Sequence, residues 1–89
     1  MIEETIVLKN RLGLHARAAA KLVHAAASFQ CRLTLTRDGD EVDAKSILGL
    51  LLLAASKGTS LLLRADGPDE AQAVASVKEL VERRFDESE

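Results

Sequence analysis

The stretch CRLTLTRDGDEVDA, Cys31–Ala44, constrains this chain more than any other. Cys31, Leu33 and Leu35 alternate with Arg32, Thr34 and Thr36, the period-2 pattern of a strand with one covered and one wet face. Asp38-Gly39 then offers the two positive-φ positions that a two-residue hairpin turn needs, and Glu41–Ala44 reads as the returning strand. The chain has 89 residues, enough for one core and too few for two. A domain of that size buries only about 60–70% of its unfolded surface, so nearly every other element must help to cover this hairpin.

The flanking segments change period. Thr5–Lys9 reads as a strand and Asn10–Gly13 as a loop. From Ala16, the residues Ala19, Leu22, Val23 and Ala26 recur at helical spacing, with Arg17, Lys21, His24 and Ser28 on the opposite face. That helix ends near Ser28 or Phe29. Ser46 occupies an N-cap position before a short helix, Ile47 to about Leu53. Gly58 suits a left-handed position after it, and Ser60–Ala65 is a further strand. Pro68 suits the first position of a last helix, with Asp69 and Glu70 at its positive dipole end. Ala71, Val74, Val77 or Lys78, and Val81 mark one side of that helix, which runs to about Arg84. Phe85–Glu89 reads as a frayed acidic tail. The order β-α-β-β-α-β-α predicts an α+β fold: a two-layer open-faced sandwich, with a four-stranded antiparallel sheet and three helices on one face, over a single domain 1–89.

Composition narrows the function. Formal net charge is −2, which provides no global field for nucleic acid or an anionic membrane. Phe29 and Phe85 are the only aromatic residues, too few to stack bases. Cys31 stands alone, without a disulfide partner or metal-ligand spacing, and reads as a small apolar strand residue; no metal and no cofactor are expected. The apolar run Ile47–Ala55 falls short of the ~20 residues that span a bilayer. The first residues lack the pattern of a secretory signal, so a cytoplasmic protein is expected.

Chemistry concentrates in GLHARAAAKLV, Gly13–Val23. His15 precedes a helix whose first N–H groups lack intrahelical partners and carry the positive end of the macrodipole. That is an anion site suited to phosphate. Neutral imidazole is a nucleophile, so His15 can carry the phosphoryl group itself. Arg17, in the first turn, can pair with its oxygens. Taken alone, a histidine at a helix start is more often a cap-like or surface residue. His24, on the polar face, reads as a solvated side chain. In the second helix Leu50 and Leu53 or Ala54 can face the sheet. Ile47, Leu48 and Leu51 are then left outside as an apolar docking surface.

Three segments together carry a resemblance: GLHARAAAKLV, KSILGLLLLAASKGT and LLLRADGPDEAQAV. In this order, and over nearly the whole chain, they resemble the HPr family, the histidine-containing phosphocarriers of the bacterial phosphoenolpyruvate:sugar phosphotransferase system. The resemblance implies phosphorylation of His15 on Nδ1 by phospho-enzyme I, transfer to IIA domains, and an Arg17 that contacts the phosphoryl group. It implies a regulatory phosphoserine at Ser46, made by an HPr kinase/phosphorylase, and docking through Lys45, Ile47, Leu48 and Leu51. Such a protein is a monomeric relay rather than a stand-alone catalyst. A mainly regulatory relative, acting on transcriptional regulators with little sugar transport behind it, is the alternative. A hydrolase on a related split βαβ fold would want an arginine and an asparagine to activate water, and Asn10 is the one asparagine present. One position departs from the family pattern: Ala18 stands where proline usually follows the arginine. The expected consequence is a slightly looser helix entry with the carrier chemistry intact.

Overall fold

The computed structural model describes residues 1–88. Its elements are β1 (Ile2–Val7), α1 (Ala16–Ala27), β2 (Arg32–Arg37), β3 (Asp40–Asp43), α2 (Ile47–Leu53), β4 (Ser60–Asp66) and α3 (Glu70–Glu82), followed by one 3-10 turn at Arg84–Asp86. The strands form one antiparallel sheet in the order β1-β4-β2-β3. The β2–β3 turn has Asp38 at φ 49° and Gly39 at φ 87°, both positive as its sequence requires.

The core lies between the sheet and the helices. Leu33 and Leu35 of β2 and Leu61, Leu63 and Ala65 of β4 point into it and are essentially inaccessible. Ala18, Ala19, Leu22 and Ala26 cover them from α1. Each leucine so buried contributes about 1.5–3 kcal/mol over an exposed one. Cys31 sits in the same core; burial first, and the nearby Asp69 carboxylate, push its thiol upward, which leaves it an unreactive apolar residue.

Five expectations are corrected. β1 occupies Ile2–Val7 rather than Thr5–Lys9, with Ile2 opposite Ala65 and Val7 opposite Ser60. The acidic start is compatible with a strand because Glu3 pairs with Arg64 at 2.9 Å and Glu4 with Lys78 at 3.1 Å. Pro68 lies in the turn before α3, not in its first helical position. Asp69 holds the N-cap position, but its carboxylate accepts the N–H groups of Gln30 and Cys31 at 2.8 and 2.9 Å. The buried stripe of α3 is Ala73, Val74, Val77, Leu80 and Val81, and Ala71 is exposed. Thr34, on the face expected to be wet, is nearly buried beside Glu41, which also receives Arg64.

The fifth correction is the largest. Beyond α3 the described part of the acidic tail is folded back, not frayed. Arg84, Phe85 and Asp86 take φ values of 56°, 54° and 63°, a left-handed run that costs non-glycine residues free energy. Phe85 offsets it, because its side chain is completely buried in the core. Lys21 of α1 donates to the Phe85 carbonyl at 2.7 Å and secures the turn.

Candidate functional site

His15 is the N-cap residue of α1, in extended backbone just before the first turn, and no side chain caps that end. The first intrahelical bond runs from the Ala19 N–H to the His15 carbonyl at 2.8 Å. The earlier amides of the turn have no intrahelical partner, and those of the exposed Ala16 and Arg17 are available to an anion. Gly13 makes the approach to this turn possible. It lies at φ 62°, and a Cβ there would overlap the Ala55 carbonyl oxygen and stand 2.7 Å from the Ser56 Cα. Leu14 donates to that same carbonyl at 2.9 Å. The segment carrying His15 is thus pinned to the loop that follows α2.

The imidazole is held by a residue the sequence reading passed over. His15 Nε2 meets the carboxylate of Glu87, seventy-two residues later in the chain. The other Glu87 oxygen accepts a bond from Asn10 Nδ2 at 3.1 Å, and the same Nδ2 donates to the Gly13 carbonyl at 2.7 Å. Asn10 is completely buried, and its Oδ1 has no hydrogen-bond partner among the described residues. Burial pushes the Glu87 carboxyl up. The bonds from Asn10 and His15 and the charges of His15 and Arg17 outweigh that effect, and the net position is below the usual carboxylate range. The signal available in the sequence was Phe85: an aromatic inside an acidic tail is a reason for that tail to return to the core.

With Nε2 engaged, Nδ1 is the ring nitrogen left open, and no hydrogen bond to it is present among the described residues. Arg17 is exposed in the first turn of α1 and forms no hydrogen bond or ion pair among them. His15, Arg17, Lys21 and Glu87 border one open depression, with the exposed Leu12 on its rim. His24 is exposed on α1 one turn beyond Lys21, and it borders a neighbouring depression together with Arg17 and Lys21.

Ser46 and α2 form the second cluster. Ser46 Oγ accepts the Gly49 N–H at 3.1 Å and caps the helix as its position suggested. Leu50 and Leu53 are buried, and the helix ends on Ala54 in the left-handed conformation. Arg37 donates to the Leu53 and Ala54 carbonyls at 2.8 and 3.1 Å and satisfies that end. Ile47, Leu48 and Leu51 are exposed together with Leu52, which at 74% exposure is the most open of the four. The ammonium of Lys45, just before Ser46, donates to the Phe29 and Cys31 carbonyls at 2.7 and 2.9 Å. Because α1 packs against α2, the histidine cluster and the leucine face belong to neighbouring helices. Among the described residues no helix is long and apolar enough to cross a membrane, and no cluster of three or more His, Cys, Asp or Glu could hold a metal ion.

Comparison with known proteins decides the family. The family model described as "PTS HPr component phosphorylation site" matches residues 2–83. The chain belongs to the HPr family. It is 52% identical over 87 residues to the phosphocarrier protein HPr of Xylella fastidiosa (strain 9a5c), covering 98% of each chain. It is 44% identical over 89 residues to that of Cupriavidus necator, covering both chains in full. A crystal structure of HPr from Thermoanaerobacter tengcongensis superposes with a TM-score of 0.97 at 40% identity, again over the whole of both chains. The four-stranded antiparallel open sheet with its three helices is the HPr architecture. Membership supports a phosphocarrier role in the phosphotransferase system and interaction with its components, such as enzyme I and IIA.

Proposed function

We propose that His15 is the residue of this carrier that accepts the phosphoryl group, on Nδ1, from phospho-enzyme I and passes it to a IIA domain. The observation that carries this reading is the ring's orientation: Nε2 faces Glu87, and Nδ1 is open beside the uncapped first turn of α1. A phosphoryl group on Nδ1 would lie close to free backbone amides and to the unpaired Arg17 guanidinium. Both stabilise developing charge in an in-line transfer, where positioning and electrostatics matter most. The resulting phosphoramidate is poorly stabilised and so transfers onward readily.

Ser46 is the proposed regulatory phosphoserine, modified by an HPr kinase/phosphorylase. Ile47, Leu48 and Leu51 are the proposed docking face, read by enzyme I, IIA domains and transcriptional regulators in turn by a monomeric carrier. A phosphate on Ser46 adds about −1.5 to −2 charges next to that face. The N-terminal end of α2 tolerates the charge, but an apolar partner surface does not. Lys45 is proposed to belong to the docking face as well, with its ammonium anchoring the segment before Ser46 to the Phe29 and Cys31 carbonyls.

The test is direct. The protein is incubated with phosphoenolpyruvate and enzyme I, and its intact mass is followed. A single, acid-labile phosphoryl gain is expected, absent in His15→Ala and retained in Ser46→Ala. Incorporation that persists in His15→Ala overturns the assignment.

A further inference from the structure

We infer that Glu87 is a positioning residue for His15, which fixes the ring's proton on Nε2 and so keeps the lone pair on Nδ1 for the phosphoryl group. The inference rests on the assignment of His15 above and adds a partner from the far end of the chain.

Neutral imidazole has one N–H and one bare nitrogen, and the partner of one decides the state of the other. An ionised carboxylate can only accept. The Glu87 carboxylate at Nε2 therefore selects the tautomer with hydrogen on Nε2. The carboxylate is itself held, since Asn10 Nδ2 donates to its second oxygen. Its side chain is only 16% exposed. Asn10 is in turn fixed by burial and by its bond to the Gly13 carbonyl. On the other side, the buried Phe85 and the left-handed run Arg84–Asp86 aim the chain so that Glu87 arrives at the ring. A backbone held in an unfavourable conformation beside a reactive group is an expected feature of a functional constraint.

The charge balance of the transfer fits this arrangement. The Nδ1 lone pair forms the bond to phosphorus as the donor's bond to phosphorus breaks, and that bonding pair leaves with the donor. The proton on Nε2 stays where it is. The ring then carries a positive charge, which faces the Glu87 carboxylate, while the phosphoryl group projects from the other nitrogen toward Arg17 and the helix amides. Onward transfer reverses these changes. No proton has to move in either direction.

The test compares wild type with Glu87→Ala and Glu87→Gln. Ring nitrogen chemical shifts of His15 are read in the neutral form, together with kcat and KM for the carrier in enzyme I-dependent phosphorylation. In wild type Nε2 should read as protonated and Nδ1 as bare. Glu87→Ala should raise the Nδ1–H population and lower kcat about 10-fold, by analogy with the lower end for removing the hydrogen-bond partner of a metal-bound histidine, with KM unchanged. Glu87→Gln keeps an acceptor oxygen without the charge and should fall between the two in both readouts. Unchanged ring shifts and kcat in Glu87→Ala overturn the inference, as does a rise in KM alone, which would mean a docking role. A wild-type chain that is never phosphorylated on His15 would instead overturn the assignment beneath it.

Discussion

Gly13 and Ala55 meet backbone to backbone: the site loop passes so close to the Ala55 carbonyl that no side chain fits between them, and the next residue, Leu14, donates to that carbonyl at 2.9 Å. The contact ties the His15 segment to the loop after α2. Gly13→Ala combines an unfavourable φ of 62° with a backbone overlap. It should destabilise the fold by about 2–4 kcal/mol, measured by urea unfolding. Phosphoryl acceptance should fall in the same variant, since relieving the overlap moves the start of α1.

Phe85 is the anchor of the returning tail. Phe85→Ala should cost about 3–5 kcal/mol, as expected for a fully buried aromatic. Hydrogen exchange should show the segment after α3 released. A loss below about 1 kcal/mol would mean that the tail packs only loosely.

Ser46 separates capping from regulation. Ser46→Ala removes the acceptor for the Gly49 N–H and should lower stability by about 1 kcal/mol, with transfer from enzyme I nearly unchanged. Ser46→Asp should hold the melting temperature, because aspartate also caps, while weakening that transfer. Undiminished transfer in Ser46→Asp would count against charge at this position as the means of control.

Ala18 lies before the first intrahelical hydrogen bond, which Ala19 donates, so a proline there loses no helical bond. Ala18→Pro should add about 0.4–1 kcal/mol by restricting the unfolded chain. Transfer rates and the phosphohistidine lifetime should change little. A large gain in both would show that the alanine weakens the natural carrier.

Acid should loosen the site before it unfolds the sheet. Glu87 sits below its ordinary value of 4.5 in the folded chain. A carboxyl lowered by folding stabilises the native state fully above its ordinary value, and the contribution is lost as pH falls through the lowered native value. Asp69, held below 3.8 chiefly by the Gln30 amide and also by that of Cys31, follows the same sign. Thermal melts of wild type should therefore fall more steeply with acidification than those of Glu87→Gln. Parallel curves would exclude a native-state role for the ionised carboxylate.

Legibility in the sequence followed the range of the interactions. The Asp38-Gly39 turn, the apolar stripe of α1 and the Ser46 cap each depend on residues within one turn or one strand of each other, so local patterning was enough to place them. His15 and Arg17 were legible for the same reason, both lying at one helix start. The leucine face was legible in outline, although Leu52 was not singled out; a seven-residue helix that is apolar nearly all round does not state its own orientation.

Local sequence alone determined the β-α-β-β-α-β-α order, the hairpin, and the histidine at an uncapped helix start. Tertiary structure alone decided how that histidine is held. Asn10, Gly13 and Glu87 converge on His15 from two ends of the chain, and Ala55 closes the loop from the middle. An acidic tail reads as solvated because charge favours water over any single contact. What brings it back is the burial of one aromatic, Phe85, in a cavity formed only when the helices have packed on the sheet.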